Sequence, residues 1–192
     1  EFGRANRDVR TGEIVMALTL ISTHTASSSA TLDITSGIDS TYPVYEFHYV
    51  SMHPETNQVD FMFQVNAASG SGFNETITST AFRAYQNEVS SPHLAYNAAY
   101  DQAQGTAYQP LTYETGNDND QSCSGTLTLY DPSSTTFVKH FIARTNDYQA
   151  DDHSIDNYMA GYINTTSAID EISFKFDSGN IDAGVIKMFG VS

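Results

Sequence analysis

Acidic side chains are the groups in this sequence whose types and spacing best suit binding chemistry. Asp118 and Asp120 alternate with asparagines directly after Gly116, and residues 147–153 hold three more aspartates and a histidine. Calcium takes about six to eight oxygen ligands, mostly from flexible loops, so these carboxylates make residues 117–120 a candidate calcium loop. The loop lacks the central glycine and the distal glutamate of an EF-hand. No other cofactor is predicted.

Nucleophilic and metal-assisted catalysis find little support in the remaining motifs. The chain has no G-x-S-x-G sequence, and its six histidines show no spacing typical of zinc sites. His48 and His140 lie in predicted strands beside aromatic residues, and we expect that they could face each other across two sheets. Cys123 is the single cysteine, which excludes an internal disulfide, and we interpret it as a small residue that starts a strand.

A glycosidase would need two carboxyl groups held a few ångströms apart. Glu46 and Glu171 are one pair that different strands could bring together, although sequence spacing does not report their separation. The twelve tyrosines allow a sugar-binding surface instead, but the chain has no tryptophan.

The elements that would position these groups are strands. Apolar and polar residues alternate with period two in Tyr45–Tyr49 and in Ile172–Phe176, which is typical of half-buried strands, and clusters of Gly, Pro, Ser and Asn separate the segments. Only Leu94–Gln104, with its repeated alanines, suggests a short helix. We predict an all-β fold, an antiparallel β-sandwich that is jelly-roll-like. Its ten predicted strands are Ile14–Ile21, Thr31–Ile34, Tyr42–Val50, Val59–Val65, Thr76–Tyr85, Cys123–Tyr130, Thr136–Arg144, Tyr158–Ile163, Ile169–Phe176 and Val185–Val191.

Length and charge limit the classes of function. The 192 residues suit a single domain, which we place at residues 16–192. Eight Lys and Arg against 23 Asp and Glu give a formal net charge of −15, which argues against nucleic-acid binding, and no apolar run is long enough for a membrane-spanning helix. Residues 1–15 form a polar N-terminal arm whose Arg4, Arg7 and Arg10 are predicted to dock onto the acidic surface of another copy.

Several segments together resemble a group of virion proteins from marine tailed bacteriophages. The resemblance covers about residues 16–192 and is carried by turn-and-strand motifs: Asp131–Phe141, Gly161–Asp170, Ser178–Val191, Phe73–Thr76 and Gly37–Tyr42. It implies a small β-sandwich present in several copies on the surface of the phage particle, as a head decoration, head fibre or tail component. The group supplies no catalytic residues.

Three functional hypotheses follow. The first is a non-enzymatic structural protein of a virion that forms a homo-oligomer and contacts other virion proteins, without nucleic-acid or membrane partners. The alternative is a module that binds glycans on a host surface, and the third is a hydrolase of the glycosidase type. For a soluble β-protein, we expect Lys139, Arg144, Lys175 and Lys187 to protect the sheet edges.

Overall fold

The computed structural model describes residues 17–192, and all of its regular elements are strands. They are β1 (Leu18–Ser29), β2 (Leu32–Ile34), β3 (Val44–Pro54), β4 (Phe61–Ala67), β5 (Ile77–Asn87), β6 (His93–Tyr96), β7 (Ala103–Gly105), β8 (Gln109–Pro110), β9 (Cys123–Tyr130), β10 (Lys139–Gln149), β11 (His153–Ile163), β12 (Ile169–Phe176) and β13 (Ile181–Val191).

The strands form two antiparallel sheets. The larger sheet has nine strands in the order β1-β13-β3-β9-β10-β11-β5-β6, with β7 also paired to β5, and the smaller sheet has the order β2-β12-β4-β8. Aromatic side chains join their inner faces: Phe47 lies 5.8 Å from Phe174, and Phe63 lies 5.1 Å from Phe141, between ring centroids. The predicted all-β, sandwich-like fold is confirmed.

All ten predicted strands overlap observed ones, but the helix predicted at Leu94–Gln104 is wrong. That segment contributes β6, a turn and β7 instead. Residues 93–96 pair with residues 82–85 of β5, because the exposed side of β5 offers hydrogen-bonding groups that outweigh the weak helix preference of a few alanines.

Strand β10 shows how the inner face changes from apolar to polar. Its residues alternate strictly between buried and more exposed positions, and Lys139, Phe141, Ala143, Thr145, Asp147 and Gln149 point inwards. The small sheet packs against the middle of this row. Residues 111–116, which we call the closing segment, cover the polar end: the N–H of Gly116 donates to the carbonyl of Tyr148, and the N–H of Ala150 donates to the carbonyl of Glu114.

The predicted protection of the sheet edges by cations is wrong. Lys139 is fully buried, Arg144 and Lys187 lie on strands inside the large sheet, and Lys175 lies on β12, which has a neighbour on both sides. The edge strand β1 is twelve residues long and carries no Asp, Glu, Lys or Arg.

The remaining predictions concern the N-terminal arm and membrane-spanning helices. Arg4, Arg7 and Arg10, with the proposed arm, lie outside the described residues. Within residues 17–192, no helix is long and apolar enough to cross a membrane.

Candidate functional site

A pocket of about 200 Å³ opens at the polar end of the inner face, and we call it the polar pocket. Strands β5, β10 and β11 are neighbours in the large sheet, and each contributes inward-pointing residues to the pocket; the closing segment supplies the opposite wall. Because period-two alternation fixes which side chains point inwards, the sheet holds these groups in place before any ligand arrives. The lining residues are Arg83, Tyr85, Tyr113, Glu114, Gln149, Asp151, His153 and Ile155.

Arg83 is the cation of the polar pocket. Its Cζ lies 3.3 Å from the centre of the Tyr113 ring and 5.4 Å from that of Tyr85, so the guanidinium is held by cation–π contacts. Its Nε and Nη1 atoms are buried, and neither has a hydrogen-bond partner among the described residues. Such donors are costly to leave unpaired, so Arg83 has unused capacity for an acceptor.

Asp147 lies under the pocket, fully buried on β10. The Asn157 amide donates to Asp147 Oδ1, whereas Oδ2 has no partner among the described residues. Burial raises the pKa of Asp147 well above its ordinary value, and the hydrogen bond from Asn157 and the nearby Arg83 charge only partly oppose that rise. A carboxyl group in this setting favours its neutral form.

Asp60 lies just before β4 and connects the small sheet to the closing segment. Its Oδ1 accepts a hydrogen bond of 2.8 Å from the backbone N–H of Glu114. Burial raises the pKa of Asp60 to about 6, and the negative charges of Asp177 and Glu114 add to the rise, while hydrogen bonds from Glu114 and Tyr100 oppose it. Asp60 therefore changes its charge within a mildly acidic range.

Gln149 fixes the hydrogen bonds along one wall of the polar pocket. Its Nε2 donates to Glu114 Oε2 at 3.0 Å, so its Oε1 faces His153 Nδ1 at 3.1 Å. Because a carbonyl oxygen only accepts, Nδ1 carries the proton, and Nε2 of a neutral His153 is an acceptor. Glu114 Oε1 has no hydrogen-bond partner within residues 17–192, so it too can accept from a ligand.

A second candidate site is the outer face of the large sheet, the surface directed away from the core. Phe82 and Tyr158 stack there at 4.7 Å between ring centroids, and the Arg144 Cζ lies 5.0 Å from the Tyr158 ring. In register with them, the row Phe82, Tyr158, Arg144, Thr126, His48, Lys187 and Thr23 crosses seven strands. The outer face is therefore a continuous, ordered surface.

The predicted calcium residues occupy an exposed turn. Asp118 and Asp120 are both exposed, and the turn is closed by Gln121, whose Oε1 accepts from the N–H of Asp118 and whose own N–H donates to the Asp118 carbonyl. Across residues 17–192, no group of three or more His, Cys, Asp or Glu residues is arranged to hold a metal ion. The two aspartates do not join the polar pocket.

The structure separates the other paired candidates. His48 and His140 both point outwards from the large sheet, on β3 and β10, so the expectation that they face each other across the sandwich is wrong. Glu46 lies on the outer face of the large sheet, where it pairs with His48, and Glu171 lies on β12 of the small sheet. The core lies between the two glutamates, so they cannot act on one bond.

Cys123 starts β9, as predicted, and is buried. Burial raises the pKa of its thiol well above the usual value, with the nearby Asp147 charge acting in the same direction. The protonated thiol is therefore the favoured form, which is a poor nucleophile.

Sequence reasoning missed most of the polar pocket. The sequence analysis does not single out Arg83, Tyr85 or Tyr113, and it groups Asp147 with the acidic residues 147–153. One signal was present: counting in twos from Phe141 places Asp147 and Gln149 on the buried face of β10.

The chain was also compared with known proteins. No family model matches it. No curated protein and no solved structure matches it either.

Proposed function

We propose that the chain is a non-enzymatic structural protein of a tailed-phage virion that assembles with copies of itself through the outer face of its large sheet. The observation that carries the assembly step is the set of large apolar side chains exposed on this one face. The virion setting rests on the sequence resemblance.

The exposed apolar residues extend across the whole width of the outer face. Leu20 on β1 and Ile142 on β10 are each 53% exposed, Phe82 on β5 is 42% exposed, and Tyr96 on β6 is 56% exposed. Single exposed apolar residues are ordinary, but several large ones on the same face of one sheet are typical of an interaction surface.

Two acidic side chains of the outer face contact basic side chains. Arg144 pairs with Asp156 at 2.7 Å, and Glu46 contacts His48 at 2.8 Å. Lys187 adds a positive charge to the same surface. Copies with a formal charge of −15 repel one another, and basic side chains on the outer face lower that repulsion at a contact made through it.

The outer face is also large enough for a stable contact. Eight strands at about 4.8 Å spacing span about 34 Å, and seven residues along a strand span about 24 Å. Together these give about 800 Å², which matches one side of an interface of standard size.

The hydrolase hypothesis gains no support from the polar pocket. The two aspartates whose pKa burial raises, Asp60 and Asp147, are not among the residues that line it. A general acid must reach the substrate oxygen within hydrogen-bond distance.

Substituting Ile142 with glutamate tests the assembly proposal. Ile142 lies on β10 near the middle of the outer face, so a glutamate there places an unpaired charge inside the contact. By light scattering, the unaltered chain is expected to show a mass that is a multiple of 21.0 kDa, and the variant a mass close to 21.0 kDa with an unchanged melting temperature.

Val89→Glu is the matched control. Val89 is 83% exposed and lies between β5 and β6, away from the outer face, so this variant should assemble like the unaltered chain. An unaltered chain that stays monomeric at high micromolar concentration would contradict the proposal, as would equal effects of the two substitutions.

A further inference from the structure

Independently of assembly, we propose that the polar pocket binds a single neutral sugar ring. The binding site is built from Arg83, Tyr85, Tyr113, Glu114 and His153. It faces away from the surface proposed for self-contact, because its residues point towards the inner face of the sheet.

The charge of the pocket favours a neutral ligand. Arg83 opposes the entry of a cation, while Glu114 and Asp151 oppose an anion, as does the formal net charge of −15. A purely apolar ligand would leave these polar groups buried without partners, which costs free energy at each group.

The unused hydrogen-bonding groups fit hydroxyl groups. Arg83 lines the pocket with unpaired donors, Glu114 Oε1 and His153 Nε2 offer acceptors, and the hydroxyls of Tyr85 and Tyr113 form no hydrogen bond within residues 17–192. A sugar hydroxyl both donates and accepts, so several hydroxyls on one ring can satisfy a mixed set of this kind.

The volume of the pocket limits the size of the ligand, and its rigid aromatic rings favour binding. A volume of about 200 Å³ lies below the range of about 300–1,000 Å³ that accepts drug-sized molecules, so one ring fits and a longer saccharide would extend into solvent. The Tyr85 ring lies 5.4 Å from that of His153, and Tyr113 lies 5.3 Å from Tyr100, so neighbouring rings hold both tyrosines in place. Preorganised rings lower the entropic cost of binding.

Saturation-transfer NMR on the full chain tests the proposal. The probes are methyl glycosides of glucose, galactose, mannose and N-acetylglucosamine, with N-acetylneuraminic acid as the anionic comparison. We expect at least one neutral glycoside to bind with a Kd of about 1 mM, as suits one small open site, and the acid to bind more weakly. In a trisaccharide that ends in the preferred sugar, only that ring should receive saturation, which distinguishes a glycan terminus from a longer binding groove.

The double variant Tyr85→Phe/Tyr113→Phe links binding to the pocket. It keeps both rings and removes only two hydroxyls, so the melting temperature should hold while the Kd rises about tenfold. Tyr130→Phe, on the outer face, is the matched control and should bind as the unaltered chain does.

Three results would overturn the sugar proposal: no neutral glycoside binds, the acid binds best, or the double variant binds as well as the control. None of them bears on assembly, because the light-scattering test uses residues of the outer face.

Discussion

Lys139→Met is expected to lower the free energy of unfolding by about 3–5 kcal/mol. The Lys139 side chain is fully buried, and its Nζ donates to the carbonyl oxygens of Phe137, Thr165 and Ser167 at 3.2, 3.2 and 2.5 Å. Methionine fills a similar volume but donates nothing, so three carbonyls lose their donor, and each buried unpaired group costs about 1–3 kcal/mol.

Lys139 has this effect because it connects two loops to the end of β10. Phe137 precedes the strand, whereas Thr165 and Ser167 belong to the connection between β11 and β12. One ammonium group therefore supplies hydrogen bonds to loop carbonyls that have no backbone N–H partner in a regular strand.

Urea unfolding of the two variants Lys139→Met and Lys187→Met measures the effect. Lys187 is exposed on the outer face, so its loss should change the free energy of unfolding by less than about 0.5 kcal/mol. Equal stabilities of the two variants would show that the buried ammonium does not hold these loops. In thermal melting, Lys139→Met should lower the Tm by about 6–20 °C for a domain of this size.

Asp60→Asn is expected to raise the free energy of unfolding at neutral pH and to make that free energy depend less on pH in mild acid. Burial raises the pKa of Asp60 to about 6 from an unfolded value near 3.8. The folded state therefore holds a proton that the unfolded state has released, and the stability from this group, complete below pH 3.8, is lost as the pH rises through about 6. The loss is on the order of 3 kcal/mol.

Asparagine keeps an oxygen that can accept from the Glu114 N–H, and it carries no charge that burial would penalise. The difference in unfolding free energy between Asp60→Asn and the unaltered chain should grow from pH 4 to pH 7. Asp147, whose pKa burial also raises, is present in both proteins. Because the Asp60 charge adds to that rise, the difference reports Asp60 together with its effect on Asp147.

Asp118→Asn is the control, because this carboxylate lies on an exposed turn. It should leave the pH profile as it is in the unaltered chain. A constant difference between Asp60→Asn and the unaltered chain from pH 4 to pH 7 would contradict the assignment of the shift to Asp60.

The strands could be predicted because their evidence is local. Tyr45 to Tyr49 alternate apolar and polar residues, and the structure buries the aromatic side of that segment completely. The same logic extended further would have placed Asp147 in the interior. Local patterns do not reveal β6, β7 and β8, because strands of two to four residues form only when a longer neighbouring strand offers them a partner.

The polar pocket could not be predicted from local patterns because distant segments build it. Arg83 and Tyr113 are thirty residues apart in the chain, and the closing segment that carries Tyr113 has no periodic pattern. Its position follows from single contacts, such as the bridge between Thr115 and Gln149, which exist only after both sheets have formed. The composition of the outer face could not be predicted either, because it depends on which strands are neighbours in the sheet.

The long edge strand β1 has a consequence for how a sheet of this kind can grow. Within residues 17–192, one side of β1 pairs with no other strand, and the twelve residues carry no charged side chain that would deter a neighbour from its main-chain donors and acceptors. Two molecules that meet β1 to β1 about a twofold axis pair their two long edges and leave only the short β6 edges at the ends of the combined sheet. A head-to-tail contact, β1 against β6, would leave an unpaired β1 at one end of the assembly and an unpaired β6 at the other. Further copies could then add at both ends and form a filament. Because β6 has only four residues, pairing β1 with β1 satisfies more main-chain donors and acceptors than pairing β1 with β6.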